Sequence, residues 1–173
     1  MLGNFTVERI EPGRLIAADG RQLVADALLL NTGAAAPAWF GSTGLSRDPG
    51  GFLAVGPSLQ VLGEESIFAA GDCATMVETP RPKAGVYAVR QGPVLAHNLM
   101  QAASALSKDR PAKLTAYRPQ DRALAILSTG DGRAVASWGP FAASGRWVWR
   151  WKDRIDRRFM DALAAAGQPR SNP

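Results

Sequence analysis

One cysteine, Cys73, and one histidine, His97, are all that 173 residues hold of those two types. A single thiol excludes an internal disulfide framework and any Cys-x-x-Cys redox or zinc motif. No apolar run approaches the roughly 20 residues needed to span a bilayer, and LVADALLL is broken by Asp26. The N-terminal MLGNFTVERIEPG lacks the basic-then-apolar layout of a signal peptide. Together these absences lead to the expectation of a cytoplasmic protein. Neither apolar nor charged residues are scarce: 46% and 20% describe an ordinary globular chain rather than a disordered one. The length suits one domain, or one domain with an appendage.

Charge of one sign does gather at one end. Arg146 to Arg170 hold seven Arg/Lys and three Asp, so +4 of the net +5 lies near the C-terminus. Such a run suits an anionic partner, yet most charge runs are solvated helix faces. No recognised nucleic-acid-binding motif accompanies the charge, and nucleic acid is not expected as a partner.

Along the chain, FTVERIEP and GRLIAADG read as short strands, with Asp19-Gly20 as a turn signal. QLVADALLL reads as a further strand that stops at Asn31-Thr32-Gly33. Residues 34–66 are rich in Ala, Gly, Pro and Ser, and read as loops with one short strand near Gly51 to Val55. Ile67 to Ala70 read as a buried strand of a covered parallel sheet, stopped by Gly71. From Ala84 to about Leu106 the pattern is helical, with Val86, Val89, Val94, Leu95, Leu99 and Leu106 as the apolar stripe. Gly92-Pro93 is expected to kink or interrupt that helix. ALAILSTG and RAVASWGPF flank Asp131-Gly132 as a second hairpin. In the closing RWVWRWKDRIDRRFMDALAAA, Val148, Trp151, Ile155, Phe159 and Leu163 recur at helical spacing. The tail GQPRSNP is expected to fray.

Three features fall on the expected carboxyl edge of the sheet: Thr32-Gly33, Gly71-Asp72 and the helix start at Ala84-Gly85. Ligands of open α/β sheets sit just beyond that edge. Glycine lets backbone pass close to a bulky ligand, and a carboxylate accepts hydrogen bonds from sugar or polyol hydroxyls. The first turn of a helix presents unpaired N–H groups to electron-rich oxygen. The set suits an extended ligand with hydroxyls and phosphates, although a strand ending in Gly-Asp or Thr-Gly is usually just a turn.

ALLLNTGAAAP, then IFAAGDCAT, then PRPKAGVYAVRQGPVLAHNL occur in an order that resembles the two-dinucleotide-binding-domain flavoproteins. Among these the chain is most similar to the type II NADH dehydrogenase branch. PRPKAGVYAVRQGP, LSTGDGRAVASWG and GRWVWRWKDRIDRRFM resemble the flavoprotein module that some organisms fuse ahead of selenide, water dikinase. The resemblance implies FAD as cofactor and NAD(P)H as substrate of the complete enzyme. It implies Thr32 and Gly33 at the return from the NAD(P)H domain, Gly71 and Asp72 at the ribitol and pyrophosphate region, and Ala84 and Gly85 facing the flavin ring, with Lys83 assisting. No metal site and no catalytic side chain are expected in this chain. The expected fold class is α/β. Residues 1–31 would end an NAD(P)-binding-type region, 32–110 would form the C-terminal part of an incomplete Rossmann-like FAD domain, and 111–173 a small α+β hairpin and basic amphipathic helix.

The family's G-x-G-x-x-G turns are absent; GSTG at 41–44 and GDG at 130–132 lack the spacing and the strand-then-helix context. The chain is therefore expected to be a fragment, a mis-assigned start or a subunit, partnered by a missing N-terminal FAD/NAD-binding half or by self-association. Quinone-reducing relatives carry Ala-Gln-x-Ala-x-Gln on the helix after the proline loop, where this chain has Val86 and Arg90 in place of both glutamines. His97 has no Glu at a useful spacing and reads as a surface or capping residue. Cys73 reads as a small hydrophobe beside the flavin. The C-terminal helix has two readings: docking on the protein's own hairpin, which is favoured, or peripheral contact of residues 146–163 with a membrane surface. The rival to the enzyme reading is a non-catalytic binding or assembly module that presents this tryptophan-rich helix to a partner.

Overall fold

Gly13 and Gly20 take positive φ, +75° and +84°, and each closes a tight turn that L side chains would strain. A computed structural model describes residues 3–167, which divide into two units at Ala35/Ala36. In the first, β1 (Val7–Glu11), β2 (Arg14–Ala17) and β3 (Gln22–Val24) form an antiparallel sheet in the order β1-β2-β3. The Asp19 carboxylate accepts the Arg21 N–H at 3.1 Å and Arg21 Nε at 2.7 Å. The backbone hydrogen bond, then the side-chain one, hold this carboxyl below its ordinary pKa. The long strand expected for QLVADALLL is only Gln22–Val24. Ala27 to Leu30 form no ladder, and Leu29 is 94% exposed. A strand needs a hydrogen-bonded neighbour, and among the described residues this apolar run has none.

The second unit is mixed α/β. Its centre is a parallel pair, β4 (Leu53–Val55) with β5 (Ala74–Met76), in the register Leu53↔Ala74, Ala54↔Thr75, Val55↔Met76. All three residues of β4 are buried, as befits parallel strands covered on both faces. Phe40, Leu59, Val61, Ala69 and Tyr117 complete this core, with Val94 and Leu95 packed against it. The strand expected at Ile67–Ala70 is not formed; only a single bridge, Gln60↔Phe68, occurs there. The ladder partner of β4 begins after the Gly71–Cys73 turn, so Asp72 precedes its strand instead of following it.

Helix α1 (Gly85–Leu106) continues through Pro93, so that of the expected kink or interruption no interruption occurs. Pro93 cannot donate to the Val89 carbonyl, and both residues are exposed. The buried face matches the expected apolar stripe only in part, since Val94 and Leu95 pack on the core. Val89, Leu99 and Leu106 are exposed, whereas Tyr87, Gln91, Asn98 and Ala105 are buried. These four lie four, seven and seven residues apart, along one side of a 3.6-residue helix. Asn98 is wholly buried and satisfied: Nδ2 donates to the Ser58 and Thr115 carbonyls at 2.8 and 2.9 Å, and Oδ1 accepts the Thr115 N–H at 2.8 Å.

The unit closes with an antiparallel sheet, β6 (Ala125–Ser128), β7 (Ala134–Trp138) and β8 (Phe141–Gly145), followed by α2 (Arg146–Gly167). The Asp131 hairpin is present, and β8 adds a third strand beyond it. Val148 of α2 is fully buried against Ala134 and Ala136, whose small side chains form the helix seat. Ile155, Phe159 and Leu163, expected on the docked face, are 42%, 42% and 51% exposed. Docking is thus confined to the first turns of α2. The tail from residue 168 lies outside the described residues.

Asn98→Ala would leave two carbonyls and one N–H buried without partners, and is expected to lower stability by about 3 kcal/mol. Urea unfolding followed by far-UV circular dichroism measures this, and an unchanged midpoint would contradict the assignment.

Candidate functional site

Gly71 has φ +71°, and a Cβ placed on it would lie 3.3 Å from the Cβ of Ala88 in α1. Both backbone conformation and close helix approach therefore require glycine here. The Gly71 N–H donates to Gln91 Oε1 at 2.6 Å, so the turn bearing Asp72 is tied to α1. The next residues fold back tightly: the Ala74 N–H bonds to the Gly71 carbonyl, and the Cys73 thiol donates to the Ala70 carbonyl at 3.2 Å. Cys73 is partly buried and packs against the core, as a small hydrophobe would. Asp72 itself is exposed at the turn.

A cleft beside this turn encloses about 20 Å³ and is walled by Gly71, Asp72, Lys83, Ala84, Tyr87 and Gln91, among others. Four of the residues singled out in the sequence, Gly71, Asp72, Lys83 and Ala84, therefore share one site. Gly85 stands next to it as the first residue of α1, exposed, with open space where a Cβ would go. Thr32 and Gly33 belong to the first unit, where both are exposed and outside regular structure.

Ala84 has extended φ and ψ of −152° and 139° and supplies no side-chain cap to α1, whose first turn holds no acidic residue. The foremost N–H groups of a 22-residue helix are thus unpaired by any cap and carry the positive end of its dipole. Lys83 adds a cation beside them. Its Nζ donates to the Ala74 carbonyl and, at 2.8 Å, to Thr75 Oγ1, and lies 4.1 Å from the centre of the Phe52 ring. Burial pushes its pKa below the ordinary lysine value, against the opposing pull of Asp48, Asp72 and Cys73. Asp48 shows the reverse balance. Burial alone would raise it, but hydrogen bonds from Thr75 and from the Phe52 and Gly50 N–H groups, with the charge of Lys83, hold it low.

The far wall is set by Arg81. Its Nε donates to the Gln120 carbonyl at 3.2 Å and its Nη2 to Asp121 Oδ1 at 2.8 Å, which fixes Pro119 at the rim. Arg81, Tyr87 and Gln91 were not singled out in the sequence. For Gln91 a signal existed: it lies four residues after Tyr87 and seven before Asn98, on one helix face. No group of three or more His, Cys, Asp or Glu that could hold a metal occurs among the described residues, and none of their helices is long and apolar enough to cross a membrane.

Residues 3–102 match the family described as pyridine nucleotide-disulphide oxidoreductase, and the chain belongs to that family. Its structure is similar to that of the sulfide:quinone oxidoreductase from the hyperthermophilic bacterium Aquifex aeolicus, with a TM-score of 0.64 and 20% identity over 91% of this chain. That likeness supports the Rossmann-like flavoprotein-type fold. The chain spans 40% of the length of that structure. No curated protein matches it.

Gly71→Ala would place a Cβ in a left-handed backbone and against Ala88, and is expected to lower stability by about 2 kcal/mol. Thermal unfolding of the variant checks this; an unshifted midpoint would show that the turn tolerates a side chain.

Proposed function

We propose that this chain is the C-terminal FAD-binding portion of a flavoprotein oxidoreductase that takes electrons from NAD(P)H and passes them to a separate acceptor. The observation that carries the reading is the cleft in which the Gly71-Asp72 turn meets the uncapped start of α1. The donor set fits FAD. Asp72 is an exposed carboxylate suited to ribityl hydroxyls, and Gly71 lets its turn lie close against α1. The N–H groups at Ala84–Gly85, with Lys83 close by, suit the electron-rich pyrimidine edge of a flavin.

When bound, FAD supplies the hydride and electron transfer chemistry. The residues of this chain position it and bias its charge. Asp72 holds the sugar-like chain, and the tie from Gln91 to Gly71 keeps that carboxylate in place. The positive start of α1 favours a ring bearing negative charge over a neutral one, because its dipole is preorganised before charge develops. The grip on the pyrophosphate and the NAD(P)H site would come from a polypeptide segment with the family's glycine-rich turns. The similarity of PRPKAGVYAVRQGP and GRWVWRWKDRIDRRFM to the dikinase-fused module supports a link to selenium metabolism and identifies no substrate. In the 173-residue chain titrated with FAD and followed by flavin fluorescence, Asp72→Ala is expected to weaken binding about 30-fold. Wild-type affinity in that variant would sink the reading.

A second reading, which can hold together with the first, concerns α2. Trp147 and Trp151 stack at 6.5 Å, and Trp147, Ile155, Phe159, Met160 and Leu163 are all exposed. Six basic residues (Arg146, Arg150, Lys152, Arg154, Arg157, Arg158) outnumber three aspartates on the same helix. This composition supports contact with an anionic membrane surface or a partner protein. The intact chain is expected to sediment with phosphatidylglycerol-rich liposomes, and a chain ending at residue 145 is not. Equal sedimentation of the two would remove α2 from that role.

A further inference from the structure

We infer that Gln91 is a cofactor-binding residue of the cleft: one end of its amide sets the Asp72 turn, and the other donates a hydrogen bond to the ligand. The inference rests on the FAD reading and adds a residue to it.

Gln91 is only 7% exposed, yet it lines the cleft with Gly71, Asp72 and Ala84. Its Oε1 accepts the Gly71 N–H, and this fixes the orientation of the amide, because the nitrogen end cannot accept from an N–H. Nε2 therefore carries two N–H donors. It has no hydrogen-bond partner among the described residues, and it is not among the buried polar atoms sealed from solvent, unlike Thr79 Oγ1. A donor on so buried a side chain, at the wall of a cleft, calls for an acceptor oxygen from outside the chain. The hydroxyls, phosphates and ring carbonyls of FAD all present such oxygens.

Position 91 could be filled by an aliphatic side chain if packing were its only role. The helix face it occupies is buried both before it, at Tyr87, and after it, at Asn98. Methionine there would occupy similar volume and remove both ends of the amide. Glutamate would keep an oxygen for the Gly71 N–H and, ionised, would lose the donor.

The test uses the whole chain, with FAD binding read by flavin fluorescence, the Gly71 contact by amide hydrogen exchange, and folding by circular dichroism. Gln91→Met is expected to bind FAD about 30-fold more weakly and to exchange faster at Gly71. Gln91→Glu is expected to keep slow exchange at Gly71 and still bind about 10-fold more weakly. A merely structural role requires instead that Gln91→Glu, with its Gly71 contact intact, binds as the wild type does. That result overturns the inference, as does wild-type affinity in Gln91→Met while Asp72→Ala is impaired; in both cases the FAD reading stands. Wild-type affinity in Asp72→Ala, or no FAD binding by the unaltered chain once it is joined by a segment carrying the glycine-rich turns, overturns the FAD reading and this inference with it. Should Gln91→Met fail to fold, Gln91→Glu decides by the same criterion.

Discussion

Three hydrogen bonds from the buried amide of Asn98 set the rotation of α1 about its axis, and most of the second unit follows from that setting. The helix is long and its apolar residues are scattered around it, so hydrophobic burial alone would specify its orientation weakly. An amide that must satisfy itself in a fully buried position has far fewer solutions. With Asn98 facing Ser58 and Thr115, Gln91 lies two turns earlier on the same side, directly against the Gly71 turn. The Tyr117 N–H, donated to the Pro57 carbonyl at 2.8 Å, stitches the same two backbone segments together one step further on.

Closeness and charge then act together at the cleft. Helix and turn meet so tightly that Ala88 touches the space a Gly71 side chain would need, which brings an exposed carboxylate beside a helix start. Negative Asp72 and the positive end of α1 do not neutralise each other by direct pairing; they face a common space. Lys83 is drawn inward by the Ala74 carbonyl, the Thr75 hydroxyl and the Phe52 ring, so its charge acts through the floor of the site and not from a mobile tip. An arrangement with acceptor and donors side by side suits a ligand that carries both hydroxyls and electron-rich oxygens.

Local chemistry was legible in the sequence where one residue decides the outcome. Gly20 and the Asp131-Gly132 pair mark their turns because few other residues tolerate those backbone angles, and β4 and α2 fall where composition and periodicity put them. Pairing was less legible. Ile67–Ala70 has the apolar look of a strand, but a ladder depends on which segment reaches β4 in register, and Ala74–Met76 does. β8, with the sequence FAASG, has little strand character of its own and is defined by its partner β7. The face of α1 is only partly legible, for a clear reason. A search for apolar residues passes over Gln91 and Asn98, since buried amides that are fully hydrogen-bonded look, in sequence, like surface residues. At the cleft, Gly71, Asp72, Lys83 and Ala84 could be named from motif and order, while Arg81, Tyr87 and Gln91 owe their places to tertiary approach.

Most partners of these deciding side chains are backbone atoms; the Thr75 hydroxyl, on Lys83, and the Asp121 carboxylate, on Arg81, are the exceptions. Asn98 bonds the carbonyls and N–H of Ser58 and Thr115, Gln91 bonds an N–H, Lys83 bonds a carbonyl, and Arg81 bonds the carbonyl of Gln120. The specificity is weighted to one side: apart from Thr75 and Asp121, the partner segments contribute backbone geometry, and α1 and the segment before it contribute side-chain chemistry. Ser58, Thr115 and Gln120 can therefore drift in side-chain identity without breaking these bonds, whereas positions 81, 83, 91 and 98 have no such latitude. At these hydrogen-bonded positions, mutational tolerance should follow which partner supplies the side chain.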